Sequence, residues 1–311
     1  MEHYLVAIAV TAGIYALMAL GMNVIWGMAG LINLGLVGFF AVGAYASGLI
    51  TLKLGAPIAV GVAAGTLMAA VVGVLVALIT VHLRGDYLAI VTLGFAESLR
   101  IVMSNELWIA NGTDGLSGIP GPFRAEAGPH LFNLLYLGIV VAAVVVLFFL
   151  VDRLVNSPFG RVLRAIRDDE EVARFAGKNV VLFKVKAFAF GTAALGLAGA
   201  LYGHFTSYIA PDLFAPLLTL YVKLSLLTGG LGNSKGAVLG AVLVVFFLES
   251  TRFLAPLIPG LSAVQAAAVR ELAVSVALLV ILRFYAKGLL PERIEAPPLT
   301  ATAAAPAASR I

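Results

Sequence analysis

Few side chains in this 311-residue chain could do chemistry, and their spacing narrows what that chemistry could be. Glu97 and Arg100 stand one helical turn apart inside an apolar run, where each alone would be costly. They therefore either neutralise each other as a structural pair or face a wet pathway. Asn23 and Asn33 are polar residues in glycine-rich runs, able to bond across helices or to touch a substrate. The four histidines, His3, His82, His130 and His204, have no ligand spacing, so no metal site is expected. With no cysteine there is no disulfide, thiol nucleophile or thiolate-held metal. Gly115-Leu116-Ser117-Gly118 could present a serine, but it falls in a polar loop without a partnered base. Thr228–Gly236, TGGLGNSKG, has the glycines of a phosphate loop. Its Ser234-Lys235-Gly236 order is wrong for one and no buried strand precedes it, so no nucleotide site is expected on this chain.

The densest charge lies in Asn156–Lys186. Eight of the twenty Lys and Arg fall within Arg153–Lys186, together with Asp168, Asp169, Glu170 and Glu171. Ser157 reads as an N-cap before Pro158 at the first helical position, and Gly177 as the glycine just past the helix end. One helix of about five turns is expected between them, with Glu171 and Arg167 four apart on a single face. Arg161, Arg164 and Arg167 recur at threefold spacing, and Phe159, Val162, Leu163, Ile166, Ala173 and Phe175 give apolar spots. A charged helix held against a membrane by apolar runs on both sides suits docking of a soluble partner; a solvated basic loop is the other reading.

The elements that carry these residues are membrane spans. The chain is 61% hydrophobic and 12% charged, with mean hydropathy +1.05. Soluble domains are nearer ~45–50% apolar and ~25% charged, so an all-α polytopic membrane protein is expected. Its pI of about 9.4 reflects basic residues beside spans rather than nucleic-acid binding. Nine spans are expected, within a range of eight to ten: Tyr4–Ile25, Ala29–Ile50, Pro57–Val81, Tyr87–Ser104, Phe132–Val151, Ala187–Ile209, the short run Ala215–Thr228 (a crossing or a re-entrant segment), Ala237–Leu254 and Val264–Phe284. The first starts without a basic leader and reads as a retained span. With the basic loop 156–186 in the cytoplasm, the N-terminus lies outside, the C-terminus inside, and loop 105–131 outside. Arg84, Lys235, Arg283, Lys287 and Arg293 fit that orientation, and Lys53 is the misplaced charge. Glycines recur at Gly21, Gly27, Gly30, Gly35, Gly38, Gly43 and Gly48, spacing that lets helices approach closely in lipid. Residues 295–311 read as a disordered Ala/Pro-rich tail.

Several blocks in one order resemble the M-type permease subunit of branched-chain amino acid ABC importers. They are GLINLGLVGFFAVGAY at Gly30–Tyr45, LRGDYLAIVTLGFAESLR at Leu83–Arg100, NGTDGLSGIPGP at Asn111–Pro122, the long run Gly160–Ala200, and TGGLGNSKGAVLGA at Thr228–Ala241. Within the long run, Glu171, Ala173 and Gly177 fit the E-A-A-x-x-x-G motif by which such permeases dock ATPases, with Val172 second. The first block carries Leu36 where the family commonly has a histidine or other polar residue. The resemblance implies a transmembrane permease domain over 1–291 of an inner-membrane importer. Its docking surface would include Arg161, Arg164, Arg167, Asp168, Glu171, Ala173 and Gly177. It implies a sister permease, two cytoplasmic ATPases that use ATP and Mg, and an extracytoplasmic binding protein, with no cofactor on this chain. Alternating access would carry leucine, isoleucine or valine; urea or a short amide is the alternative within the class. An ion-coupled carrier or channel would rely on Glu97–Arg100 as its only candidate coupling charges, and Asn33 joins that pair as a pathway candidate.

Overall fold

The computed structural model describes residues 2–83, 85–124, 128–254, 263–284 and 288–292. Expectations for Arg84, Lys287, Arg293 and the tail 295–311 fall outside those residues. The chain is a helical bundle whose order follows the apolar runs. Helix α1 (Glu2–Met22) continues into a π-helical turn (Asn23–Met28), then α2 (Leu36–Lys53), α3 (Ile58–Thr80) and α4 (Asp86–Asn105) follow. A short α5 (Leu107–Ala110) and strand β1 (Leu116–Ser117) occupy the polar loop before α6 (Pro129–Asn156). Two surface helices, α7 (Pro158–Asp168) and α8 (Glu170–Phe175), lead into α9 (Val180–Thr206). Strand β2 (Tyr208–Ile209), a 3-10 turn (Pro211–Phe214), α10 (Pro216–Gly229), α11 (Ser234–Leu254) and α12 (Ala263–Phe284) complete the described set.

Among the described residues, six helices are long and apolar enough to cross a membrane: Tyr4–Met28, Leu36–Lys53, Ile58–Thr80, Asp86–Asn105, Leu131–Asn156 and Val180–Thr206. The expected count of nine is not reproduced at this level. Helix α10, at 14 residues, is only about 21 Å long.

The core forms where α9 packs between α2 and α3, with α1 on its other side. This needs glycine rather than merely tolerating it. A methyl on Gly43 would sit 2.6 Å from the Gly196 carbonyl carbon, and one on Gly65 would sit 2.5 Å from the Gly43 oxygen. Backbone therefore meets backbone across both contacts, which is how helices gain packing energy where lipid offers no hydrophobic drive. Phe39, Phe40, Tyr45 and Phe188 fill the layer beside this seam and are almost wholly buried.

One expected span is corrected. Ala29–Ile50 is continuous in hydropathy, yet its first seven residues are not helical. Asn33 Oδ1 accepts the Gly35 amide at 2.7 Å, and Thr92 Oγ1 accepts the Leu34 amide at 3.1 Å. Side chains thus satisfy the amides that a helix would have used, and Gly30 turns the chain with φ +69°. The sixth span also starts earlier than expected: α9 begins at Val180, so the charged loop is shorter than 156–186.

The bundle has two distinct faces. At one end of α9, β1 pairs antiparallel with β2, Leu116 opposite Ile209 and Ser117 opposite Tyr208. Ser207 Oγ donates to the Ile119 carbonyl at 2.8 Å, and buried His204 Nδ1 contacts the Pro120 carbonyl at 2.7 Å. Lys53, out of place by charge alone, donates to the Trp108 carbonyl at 2.8 Å on this same face. At the other end of α9 lie α7 and α8. Helix α10 runs from the first face to the second, its following turn ending beside the π-turn of α1, where the Gly232 amide donates to Asn23 Oδ1 at 2.9 Å.

Candidate functional site

The charged segment starts and stops where its capping residues require. Ser157 Oγ accepts the Gly160 amide at 3.3 Å, with Pro158 as first helical residue. At the other end Gly177, φ +74°, closes a Schellman turn: its amide reaches the Arg174 carbonyl at 3.0 Å, and the Lys178 amide reaches Ala173 at 3.2 Å. Between these ends the single helix is corrected to two. Asp169 leaves helical geometry at φ −153° and ψ 107°. Its Oδ1 accepts the amides of Glu171 at 2.9 Å and Val172 at 3.0 Å, so it caps a fresh helix instead of continuing the old one. Arg167 and Glu171 consequently do not share a helical face.

The break sorts the docking candidates into two sets. Leu163 and Ile166 are buried, and Ile166 packs with Ala173 and Val180, which ties α7 and α8 to the start of α9. Lys184 of α9 clamps α8 through Glu170 at 2.6 Å. Arg164 and Arg167 point into the molecule. Arg167 Nη1 donates to the Gly27 carbonyl at 2.5 Å and to Glu292 at 2.8 Å, while its Nε donates to Asp168 at 3.2 Å. Arg164 donates to the Val155 carbonyl at 3.3 Å and lies 3.6 Å from Glu292. The outward set is Arg161, Asp168, Glu171, Val172 and Phe175, with Phe175 90% exposed although it is aromatic. Beside α7 and α8 an open cleft of about 380 Å³ is lined by Gly30, Leu31, Leu88, Asp168, Asp169 and Glu171, among others.

Glu292, absent from the sequence-based site, joins three elements. Residues 288–292 return along this face, where the Leu289 amide donates to Thr228 at 2.9 Å and the Leu290 amide to Gly229 at 2.8 Å. The strap fills the TGGLGNSKG turn, and the Glu292 carboxylate lies against Gly232. An acid therefore occupies the space that a phosphate would need. Nothing local in the sequence marks Glu292, because its arginine partners lie 125 residues and more away.

On the partly exposed side of α4, Glu97 and Arg100 do meet. Arg100 Nε and Nη2 donate to Glu97 Oε1 at 3.0 and 2.5 Å. Asp212 from the turn before α10 adds a second carboxylate 3.6 Å from Arg100. The pair is thus part of a triad near the β1–β2 face. Asn33 lies elsewhere, 1% exposed, in the connector after the π-turn. Gly35 and Gly38 back onto Thr92 and Ala96 of α4, and Gly30 backs onto the Arg167 side chain. A further charge, not singled out from the sequence, lies in a shorter apolar helix. Lys223 lies midway along α10, legible as a lone cation in an apolar run but overlooked.

A double-mutant cycle tests the pair. Arg100→Gln leaves Glu97 without its partner and Glu97→Gln leaves Arg100 with the more distant, exposed Asp212 alone, whereas the double substitution removes both charges of the pair. Each single is expected to lower the yield of folded protein below the double, with a coupling of about 0.5–1 kcal/mol for a pair that is partly exposed. Additive melting temperatures for the three variants would dissolve the pair.

A bundle of crossing-length apolar helices, with an amphipathic two-helix element anchored between α6 and α9, is the architecture of a multi-pass membrane protein. Comparison with known proteins narrows this. The chain belongs to the family described as branched-chain amino acid transport system / permease component, whose model matches residues 4–283. It is 34% identical over 269 residues to the high-affinity branched-chain amino acid transport system permease protein LivM of Escherichia coli, covering 79% of this chain and 63% of that protein. The probable branched-chain amino acid transport permease protein LivM of Methanocaldococcus jannaschii is 29% identical over 326 aligned positions, covering 92% and 93%. The autoinducer 2 import system permease protein LsrC of Escherichia coli is 24% identical over 159 residues, half of this chain. The chain spans about 63% of the length of the first of these relatives. No solved structure matches it.

Proposed function

We propose that the chain is a permease subunit of an ATP-driven importer for leucine, isoleucine and valine, working with a sister permease, two cytoplasmic ATPases and an external binding protein. The observation that carries this reading is the α7–α8 element. It turns Glu171, Val172 and Phe175 outward while Arg167, Ala173 and Lys184 lock it to the bundle. An exposed aromatic ringed by charge suits the apolar centre and polar rim of a protein interface. In this reading α7 and α8 face the cytoplasm and the β1–β2 face lies outside, which puts the N-terminus outside. With α10, α11 and α12 counted as crossings the total is nine, and the C-terminus is cytoplasmic. ATP hydrolysis belongs to the partners, and no cofactor is assigned to this chain.

The test is uptake by the complex reconstituted in liposomes with its ATPases and binding protein. ATP-dependent accumulation of labelled leucine, isoleucine and valine is expected, without competition from urea. Phe175→Ser combined with Glu171→Lys is expected to lower ATPase capture at least about tenfold, since interface aromatics are frequent hot spots. Neither residue lies in the bundle core, so the permease itself stays folded. Full capture by that variant would return α7–α8 to a solvated connector.

A further inference from the structure

Lys223 is the eighth of the fourteen residues of α10, a helix that runs between the two faces of the bundle. Its ammonium has no carboxylate or hydroxyl at bonding distance among the described residues. It sits instead over the face of Trp26, 5.0 Å from the ring centroid. A cation at this depth is costly, and such residues mark ligand paths more often than they serve packing. Lys223 is half-buried rather than sealed into the core. Leu220, 51% exposed, lies three residues before it and half-buried Leu227 four residues after, so all three share one face of α10.

Trp26 belongs to the π-helical turn, a distortion found disproportionately at functional sites. That turn is tied at both ends to the α7–α8 face. The Asn23 side chain accepts the Gly232 amide at 2.9 Å, and the Gly27 carbonyl accepts Arg167 of α7 at 2.5 Å. Displacement of α7 therefore reaches the Trp26 ring through a single hydrogen bond and one peptide unit.

We propose that Lys223 and Trp26 form a mid-membrane seat for a zwitterionic amino acid, resting on the reading of this chain as an amino acid permease. The substrate carboxylate takes the Lys223 ammonium, and the substrate's own ammonium takes the place of Lys223 on the ring face by the same cation–π attraction. Leu220 and Leu227 meet the aliphatic side chain. One contact between charges and ring is exchanged for another, so the seat neither buries an unpaired charge when empty nor creates one when filled. Pulling on Gly27 through Arg167 shifts the ring and opens the seat.

The chain has no cysteine, so Leu220→Cys provides a single reporter on it. The experiment follows maleimide alkylation of that residue in the purified complex with its ATPases, with leucine or isoamylamine added. Isoamylamine keeps the side chain and the ammonium but lacks the carboxylate. Leucine at twice its dissociation constant is expected to slow alkylation about threefold, and isoamylamine far less. Protection is expected to vanish with Lys223→Met added and to survive Lys223→Arg. Equal protection by leucine with and without Lys223→Met, or none in a complex that imports leucine, overturns the seat alone. A complex that imports no branched-chain amino acid overturns the permease reading, and the seat with it.

Discussion

Gly43→Val is expected to abolish folded protein. The added side chain would meet the Gly196 backbone, with its first carbon 2.6 Å from a carbonyl carbon, and Gly65 closes the same spot from α3. Overpacking against flexible side chains costs about 1–3 kcal/mol, and here the obstacle is backbone, so the cost lies at or above the top of that range. The α2–α3–α9 seam cannot widen locally either, because Gly199 meets Phe40 only three residues along α2, where an added methyl would sit 2.9 Å from the Phe40 carbonyl carbon. The control is Gly138→Val in α6, where nothing lies within 4 Å of the new carbon. It makes the same chemical change on an exposed helix surface and is expected to leave yield and melting temperature near those of the parent. Fluorescence-detected size exclusion of both variants decides the matter: a sharp peak for Gly43→Val would show that the seam is loose.

Arg167→Leu is expected to separate ATP hydrolysis from uptake. The substitution keeps the aliphatic stem against Gly30 and removes the bonds to Gly27, Glu292 and Asp168. Helix α7 remains anchored by Leu163 and Ile166, and the outward residues Glu171 and Phe175 are untouched. ATPases are therefore expected to assemble normally while leucine uptake falls at least about tenfold, a loss of about 1.4 kcal/mol or more in the step that moves the bundle. Arg161→Leu makes the parallel change on the exposed docking side of α7, so its effect is expected in ATPase capture, with uptake per captured ATPase unchanged. Uptake and ATP hydrolysis measured on one set of liposomes check both. Equal uptake per captured ATPase in the two variants would remove Arg167 from the path of force.

Much of this was legible in the chain. Apolar runs mark the helices because a lipid-spanning backbone must satisfy its own hydrogen bonds, and Ser157, Pro158 and Gly177 mark the ends of the charged segment by their capping chemistry. The break at Asp169 was harder to see. In a run of four acids each reads alike, and only the bonds to Glu171 and Val172 single one out as a cap. Hydropathy likewise missed the non-helical start of the second span, since the bonds made by Asn33 and Thr92 do not alter apolarity. Glu97 and Arg100 could be paired from their spacing. Asp212 and Glu292 could not, because their partners are brought near only by the fold.

The strap at residues 288–292 has a consequence for biosynthesis. Arg167 is made just past the middle of the chain, while the carboxylate that holds it follows 125 residues later. Until then the α10–α11 turn lacks the backbone that fills it, and α7 is held by Gly27, the Val155 carbonyl and its own apolar contacts. The face that carries α7 thus matures last, after the helices beneath it. A nascent chain presents α7 unlatched until the strap arrives, so the order of synthesis itself completes the bundle before this face is fixed.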